Sequence, residues 1–192
     1  MIQEYAAKLN KAISETVGTD TTPDSRYCTA HSALRQVIAR LQWGGVKAII
    51  IGNGGSAGIA SHIAIDLTKN AGVPAMALND PAALTCLSND YGYEEVFAKQ
   101  IDYHGKPNDV LLAISSSGQS VNIRRAVAVA ASRRLFTVTF SGFREDNPLR
   151  RLGELNFYVP SSEYGFVELA HHTFLHCIVD ELCKDKAQAV AA

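Results

Sequence analysis

The sequence predicts an α/β domain, a three-layer, doubly wound, five-stranded parallel sheet flanked by helices, and three observations point to it. Short, nearly continuous apolar runs alternate with longer amphipathic stretches, the pattern of buried parallel strands joined by crossover helices. Two turns rich in glycine and serine directly follow two of these runs, at the carboxyl ends where such sheets bind ligands. The chain has 192 residues, 47% of them hydrophobic and 19% charged, which fills one core and leaves no room for a second folded unit. The whole chain is therefore read as one domain, with a helical extension over 1–44, an α/β core over 45–185 and an Ala-rich tail over 186–192 that is expected to fray.

Strands are predicted at 47–51, 75–78, 109–114, 135–140 and 156–159. Helical periodicity fits 57–70, 93–103, 121–133 and 166–183 between and after them. Two further helices, 2–16 and 24–42, precede the first strand and are separated by Gly18-Thr19-Asp20-Thr21-Thr22-Pro23. These leading helices have no local sheet on which to bury their apolar faces. They either pack back on the domain or pair with another copy, and self-association is the reading preferred here.

Composition excludes several classes. Eighteen basic and nineteen acidic residues give a net charge of -1, without the positive field that nucleic-acid binding needs. The longest apolar stretches are far shorter than the roughly 20 residues that cross a bilayer. The opening Met1-Ile2-Gln3-Glu4-Tyr5 lacks the basic-then-apolar order of a secretion signal, so a cytosolic protein with neither membrane nor nucleic-acid partners is expected. Cys28, Cys86, Cys177 and Cys183 show no short paired spacing and are read as reduced, mostly buried thiols.

The first ligand-holding turn is Gly52-Asn53-Gly54-Gly55-Ser56-Ala57-Gly58. Its glycines permit close backbone approach, and Ser56 can cap the following helix and donate to an anion. The second is Ser115-Ser116-Ser117-Gly118-Gln119-Ser120, which leads into a helix. Four hydroxyls beside a helix N-terminus suit a phosphate. No Gly-x-x-x-x-Gly-Lys-Ser/Thr motif occurs, which argues against a nucleoside triphosphatase. Gly52, Gly54 and Ala57 do match a relaxed dinucleotide pattern, with Asp80 placed for a ribose, but that reading leaves the serine turn unexplained.

Proton-carrying or metal-ligating groups come from two helices. His62 and Asp66 stand at i and i+4, on one face. Glu168, His172 and His176 recur every four residues and so fall within about 80° of one another on an otherwise apolar helix. Two helices that each present a histidine and a carboxylate can build a four-ligand site for zinc or a similar divalent ion, or a metal-free acid–base pair. His31, His104 and His171 are read as surface or packing residues.

With these motifs the chain resembles sugar isomerase (SIS) domains of the phosphoheptose isomerase type. The resemblance spans nearly the whole chain, including Ser88-Asn89-Asp90-Tyr91-Gly92 and the segment from Glu168 to His176. It implies homotetramers with active sites shared between subunits, in which sedoheptulose 7-phosphate is converted to glycero-manno-heptose 7-phosphate. It further implies that Ser115, Ser116, Ser117 and Ser120 hold the phosphate, and that Asn53, Gly54, Ser56 and Asp90 line the sugar site. His62, Asp66, Glu168 and His176 fall on the metal-binding or acid–base positions, with Asp66, Glu168 and His176 about the reacting carbons and Zn2+ as the expected cofactor.

The chain departs from the family pattern at four places. Asp66 replaces a catalytic glutamate and Glu168 a glutamine ligand; Asn70 replaces an arginine and Gly165 an aspartate. Two other functions are weighed. One is a non-catalytic SIS-domain scaffold for a replication initiator, which predicts loss of the histidine and carboxylate stripe that this chain keeps. The other is a nicotinamide-dependent oxidoreductase.

Overall fold

The computed structural model of the chain describes residues 1–20 and 27–191. In chain order the elements are α1 (Ile2–Ser14), β1 (Val17–Asp20), β2 (Tyr27–Thr29), α2 (Ala30–Leu41), β3 (Ala48–Gly52), α3 (Gly55–Asp66), β4 (Ala75–Ala77), α4 (Pro81–Tyr91), α5 (Val96–His104), β5 (Val110–Ser115), α6 (Val121–Ser132), β6 (Phe136–Ser141), β7 (Leu155–Tyr158) and α7 (Tyr164–Ala191). A π-helical turn, Leu67–Ala71, extends α3, and 3-10 turns lie at Tyr93–Glu95 and Pro148–Arg151.

The strands lie in the order β2-β1-β7-β6-β5-β3-β4. All five predicted strands are present, and they pair in parallel from β4 through β7. The sheet has two strands more than predicted. β1 runs antiparallel to β7, and β2 antiparallel to β1. They occupy residues for which the sequence predicts a loop and the start of the second helix. Residues 21–23 of that loop and 24–26 of that helix lie outside the described residues. One helix is also added, α4, which begins with Asp80 as N-cap and Pro81 in the first turn.

The parallel strands are buried on both faces, so alternate residues feed two cores. Ile50, Leu112 and Phe140 face α2, α3 and α7, while Ile49, Ile51 and Leu111 face α4, α5 and α6. The leading helices do not stand free. Ala33, Leu34, Val37, Ile38 and Leu41 of α2 lie in the first core, and α1 packs on α7 through Ala12 and the ring contact of Tyr5 with Phe166 at 4.6 Å. Gly165 makes that contact possible, since a Cβ there would lie 2.7 Å from the Tyr5 hydroxyl. The Ala-rich stretch continues α7 to Ala191, and Ala192 is outside the described residues.

The cysteine expectation is corrected in part. All four are free thiols, but Cys86 and Cys177 are exposed, and Cys28 and Cys183 are only half-buried because they pack at the margin of the first core. His31 and His104 are exposed, as surface residues should be. His171 is a packing residue, fully buried, with its Nε2 3.1 Å from the Ser141 carbonyl. Burial pushes its pKa from 6.5 down to about 4, against the smaller opposing effect of the carbonyl hydrogen bond. The unfolded chain therefore binds a proton in a range where the folded one does not. The stability this residue contributes is present above pH 6.5 and is lost as pH falls toward 4, by up to about 3 kcal/mol. Urea unfolding at pH 7 and at pH 5 is expected to show that loss, and a flatter dependence for His171→Gln; equal slopes would remove His171 as its source.

Candidate active site

The parallel strands β4-β3-β5-β6-β7 reverse their order between β3 and β5, and ligands in such sheets bind outside the carboxyl ends at the reversal. β3 and β5 pair side by side there, Gly52 opposite Ile114, so the two turns singled out in the sequence leave neighbouring strands together. They line one pocket of about 280 Å³ with Asn53, Gly54, Gly55 and Ser56 from the first turn, Ser115, Ser116, Ser117 and Ser120 from the second, and Tyr164 and Glu168 of α7.

The serine turn has unspent hydrogen-bonding capacity. Ser120 stands at the N-cap of α6 but its hydroxyl makes no cap bond, accepting instead from Ser115 Oγ at 3.3 Å. The Ser116 hydroxyl is buried with no hydrogen-bond partner, and a buried donor without a partner suits a ligand oxygen. Ser117 Oγ accepts from the Gln119 amide at 3.2 Å and so tightens the turn. Gly118 takes φ +64°, and its missing side chain leaves room for the buried Asn147. Asn147 ties together the neighbouring loop, its Oδ1 accepting from the Arg150 amide and its Nδ2 donating to the Gly142 and Arg144 carbonyls.

In the first turn α3 starts at Gly55 with Gly54 as its N-cap, so Ser56 is not the cap that the sequence suggests; it sits in the opening helical turn, 4% exposed, against the pocket. Asn53 is held by two residues that the sequence reading misses. Asn53 and Asn122 exchange side-chain hydrogen bonds in both directions, at 3.0 and 2.9 Å, and the Tyr93 hydroxyl donates to Asn53 Oδ1 at 3.0 Å. The available signal was a carboxamide two residues past the serine turn, in the first turn of α6. Asp90 does not line this pocket. It is exposed near the end of α4, beside Asn89 at 3.0 Å and Cys86. Asp80 accepts from the Ala83 amide at 2.9 Å as N-cap of α4, which engages the carboxylate that a dinucleotide reading needs for a ribose.

The second cluster lies where α3 crosses α7. His62 and His176 come together, ring centroids 5.2 Å apart, and both face Asp66, whose Oδ2 is 3.3 Å from His62 Nε2 and 3.8 Å from His176 Nδ1. Asn70, at the family's arginine position, donates to the other oxygen, Asp66 Oδ1, at 3.2 Å and so aims the carboxylate. His172 joins them, stacked on His176 at 4.5 Å and edge-on to His62 at 5.3 Å. His62, His172 and His176 each offer a nitrogen, and these atoms lie within 4.8 Å of one another. Burial lowers the His172 pKa, and the neighbouring His176 and His62 lower it further, so a neutral imidazole is favoured there.

Glu168 is placed differently. Its carboxylate lies over Gly55, where a Cβ would come within 2.6 Å of it, and Glu168 lines the serine-lined pocket. Of the four expected metal ligands, the structure thus brings together His62, Asp66 and His176 and sets Glu168 at the start of α3. A divalent ion suits the group at the crossing, since neutral imidazole nitrogens and a carboxylate oxygen are zinc donors and the His172 Nε2 is buried without a partner.

Fold and site together define a doubly wound α/β domain with an anion-ready pocket at its switch point and a histidine–carboxylate cluster on the neighbouring helices. Comparison with known proteins agrees. The SIS domain pattern matches residues 29–142. The chain is 35% identical over 188 residues to a phosphoheptose isomerase of Thermodesulfovibrio yellowstonii, covering 95% of this chain and 92% of that one. It is 39% identical over 140 residues to that of Helicobacter pylori, covering 70% and 72%. Among solved structures, a phosphoheptose isomerase from Francisella tularensis superposes with a TM-score of 0.80 at 28% identity over 95% of this chain and 96% of that one, and GmhA from Neisseria gonorrhoeae with 0.77 at 28% over 94% and 96%. The chain belongs to the SIS-domain family, as a member of the phosphoheptose isomerase type. Among the described residues no helix is long and apolar enough to cross a membrane.

Proposed function

We propose that this chain is an aldose–ketose isomerase that converts sedoheptulose 7-phosphate to D-glycero-D-manno-heptose 7-phosphate through an enediol. The observation that carries this reading is the switch-point pocket, in which the serine turn and the N-terminus of α6 face a single carboxylate, Glu168. The phosphate is held by Ser115, Ser116, Ser117 and Ser120, where hydroxyls and the helix dipole serve an anion without a cationic side chain. Asn53, Gly54 and Ser56 line the sugar. Asp90, exposed and away from this pocket, fits a site shared between subunits of a homotetramer.

In the isomerisation a base takes the proton from the carbon beside the carbonyl while the carbonyl oxygen gains one, and the enediol is then reprotonated at the former carbonyl carbon while the hydroxyl on the first carbon gives up its proton to become the aldehyde. Asp66, His176 and Glu168 are the groups with the chemistry to carry it. A divalent metal, zinc by its donors, is assigned to His62, Asp66 and His176, with Glu168 as the fourth ligand suggested by the sequence pattern; when bound, it supplies a Lewis acid that offsets the negative charge of the enediolate. Four free thiols suit a reducing compartment, which supports a cytosolic location.

The reading is tested by following aldose formation from sedoheptulose 7-phosphate with the full chain. Turnover is expected, and no turnover with any ketose phosphate of five to seven carbons would overturn it. Ser117→Ala is expected to weaken inhibition by inorganic phosphate by about 1 to 2 kcal/mol, the scale of one hydrogen bond to a charged group. An unchanged inhibition constant would take Ser117 out of the phosphate site.

A further inference from the structure

We propose that Tyr93 and Asn122 are positioning residues: together they lock the side-chain amide of Asn53 so that it offers the sugar end of the substrate one N–H donor and no acceptor. The inference rests on the isomerase reading of the serine-lined pocket, which Asn53 lines from the first turn and to which neither of its two supports contributes a wall. The sense of the amide follows from a chain of bonds that starts on the backbone. The Ile123 N–H can only donate, and it meets Asn122 Oδ1 at 2.9 Å, which fixes the end of that carboxamide that carries oxygen. Asn122 Nδ2 then donates to Asn53 Oδ1 at 2.9 Å, and Asn122 Oδ1 accepts from Asn53 Nδ2 at 3.0 Å. The Tyr93 hydroxyl takes the second lone pair of Asn53 Oδ1 at 3.0 Å. The oxygen of Asn53 is thereby saturated. Its nitrogen keeps a second N–H with no partner among the described residues, and this is the group that Asn53 can present to a ligand.

Both supports are carried by α6. Asn122 is 4% exposed and stands in the first turn of that helix, just past Ser120 of the serine turn. Tyr93 opens the 3-10 turn Tyr93–Glu95, and Arg125 of α6 holds that turn by pairing with Glu94 at 3.1 Å and with Glu95. One helix thus sets the phosphate turn, the Asn122 carboxamide and the clamp beside Tyr93 in a common frame. A sugar phosphate gripped by the serines meets at Asn53 a donor whose direction the fold dictates, and a group that only donates suits a sugar oxygen that accepts.

The test is a double-mutant cycle on the full chain: Tyr93→Phe, Asn53→Ala and the two combined, read as kcat/KM for sedoheptulose 7-phosphate, with inhibition by inorganic phosphate reporting on the anchor. Tyr93 is 55% exposed and phenylalanine keeps its ring, so Tm should stay within about 2 °C. Tyr93→Phe is expected to lower kcat/KM by about 3- to 10-fold, the scale of one hydrogen bond between neutral groups, with phosphate inhibition unchanged and with no further loss where Asn53 is already alanine. Asn122→Ala removes both carboxamide bonds and is expected to lose roughly 10- to 100-fold, again only where Asn53 is present. Full activity in Tyr93→Phe, an equal loss in both backgrounds, or a matching loss of phosphate inhibition would overturn the proposal. If the parent chain does not turn over, the isomerase reading falls by itself, and the positioning of Asn53 is decided by calorimetric affinity for sedoheptulose 7-phosphate in the same proteins. The same pattern of losses there supports it; equal affinities, or no binding by the parent chain, refute it.

Discussion

His176→Ala is expected to lower turnover of sedoheptulose 7-phosphate by roughly 10²- to 10⁴-fold, the range for removing a positioned acid or base, with little change in KM. His176 lies 3.8 Å from the Asp66 carboxylate and packs on both other imidazoles of the cluster, so its loss removes a proton-carrying group and disorders its neighbours. The phosphate is anchored elsewhere, on the serine turn, which is why binding should survive. The side chain is 40% exposed, so the fold should tolerate the change. His104→Ala, an exposed histidine on α5, is the control and should be silent. Steady-state kinetics checks both; unchanged turnover in the first would take His176 off the proton path.

Gly118→Ala is expected to destabilise the protein by about 3 kcal/mol and to abolish phosphate binding. Alanine at φ +64° is strained, and its Cβ would collide with the side chain of Asn147, which is fully buried and cannot withdraw without breaking its bonds to the Arg150 amide and the Gly142 and Arg144 carbonyls. The serine turn must then move away from the pocket. For a chain of this size the change corresponds to a fall in Tm of about 6 to 12 °C. Gly58→Ala makes the contrast, since a Cβ there meets nothing within 4 Å inside α3 and should be neutral or stabilising by up to about 1 kcal/mol. Thermal unfolding of the two variants tests the argument, and equal Tm values would refute it.

Much of the architecture was legible because buried parallel strands are written as apolar runs. Residues such as Ala48 to Ile51 or Val110 to Ile114 admit few other readings once helical periods flank them. The antiparallel ribbon was not legible. Val17–Asp20 is Gly- and Thr-rich and gains strand form from pairing with β7, more than a hundred residues away, a partner that no local pattern announces. α4 was missed for a different reason: Asp80-Pro81 is a good helix start, but Asp80 was weighed as a ligand rather than as a cap.

The candidate site divides in the same way. Turns at strand ends and i, i+4 pairs are local features, and they led to the serine turn, His62, Asp66 and His176. Choosing among Glu168, His172 and His176 depends on what α3 places opposite each turn of α7. That is a property of the crossing, and the stripe itself is silent on it.

The mutual embrace of Asn53 and Asn122 bears on how a guest is received. Each carboxamide satisfies the other across the gap between the two turns, so the chain's own side chains set the distance between them. A mouth braced in this way needs less moulding by its visitor. Little ordering is left to be done at arrival, and discrimination falls to shape and charge rather than to a closing motion.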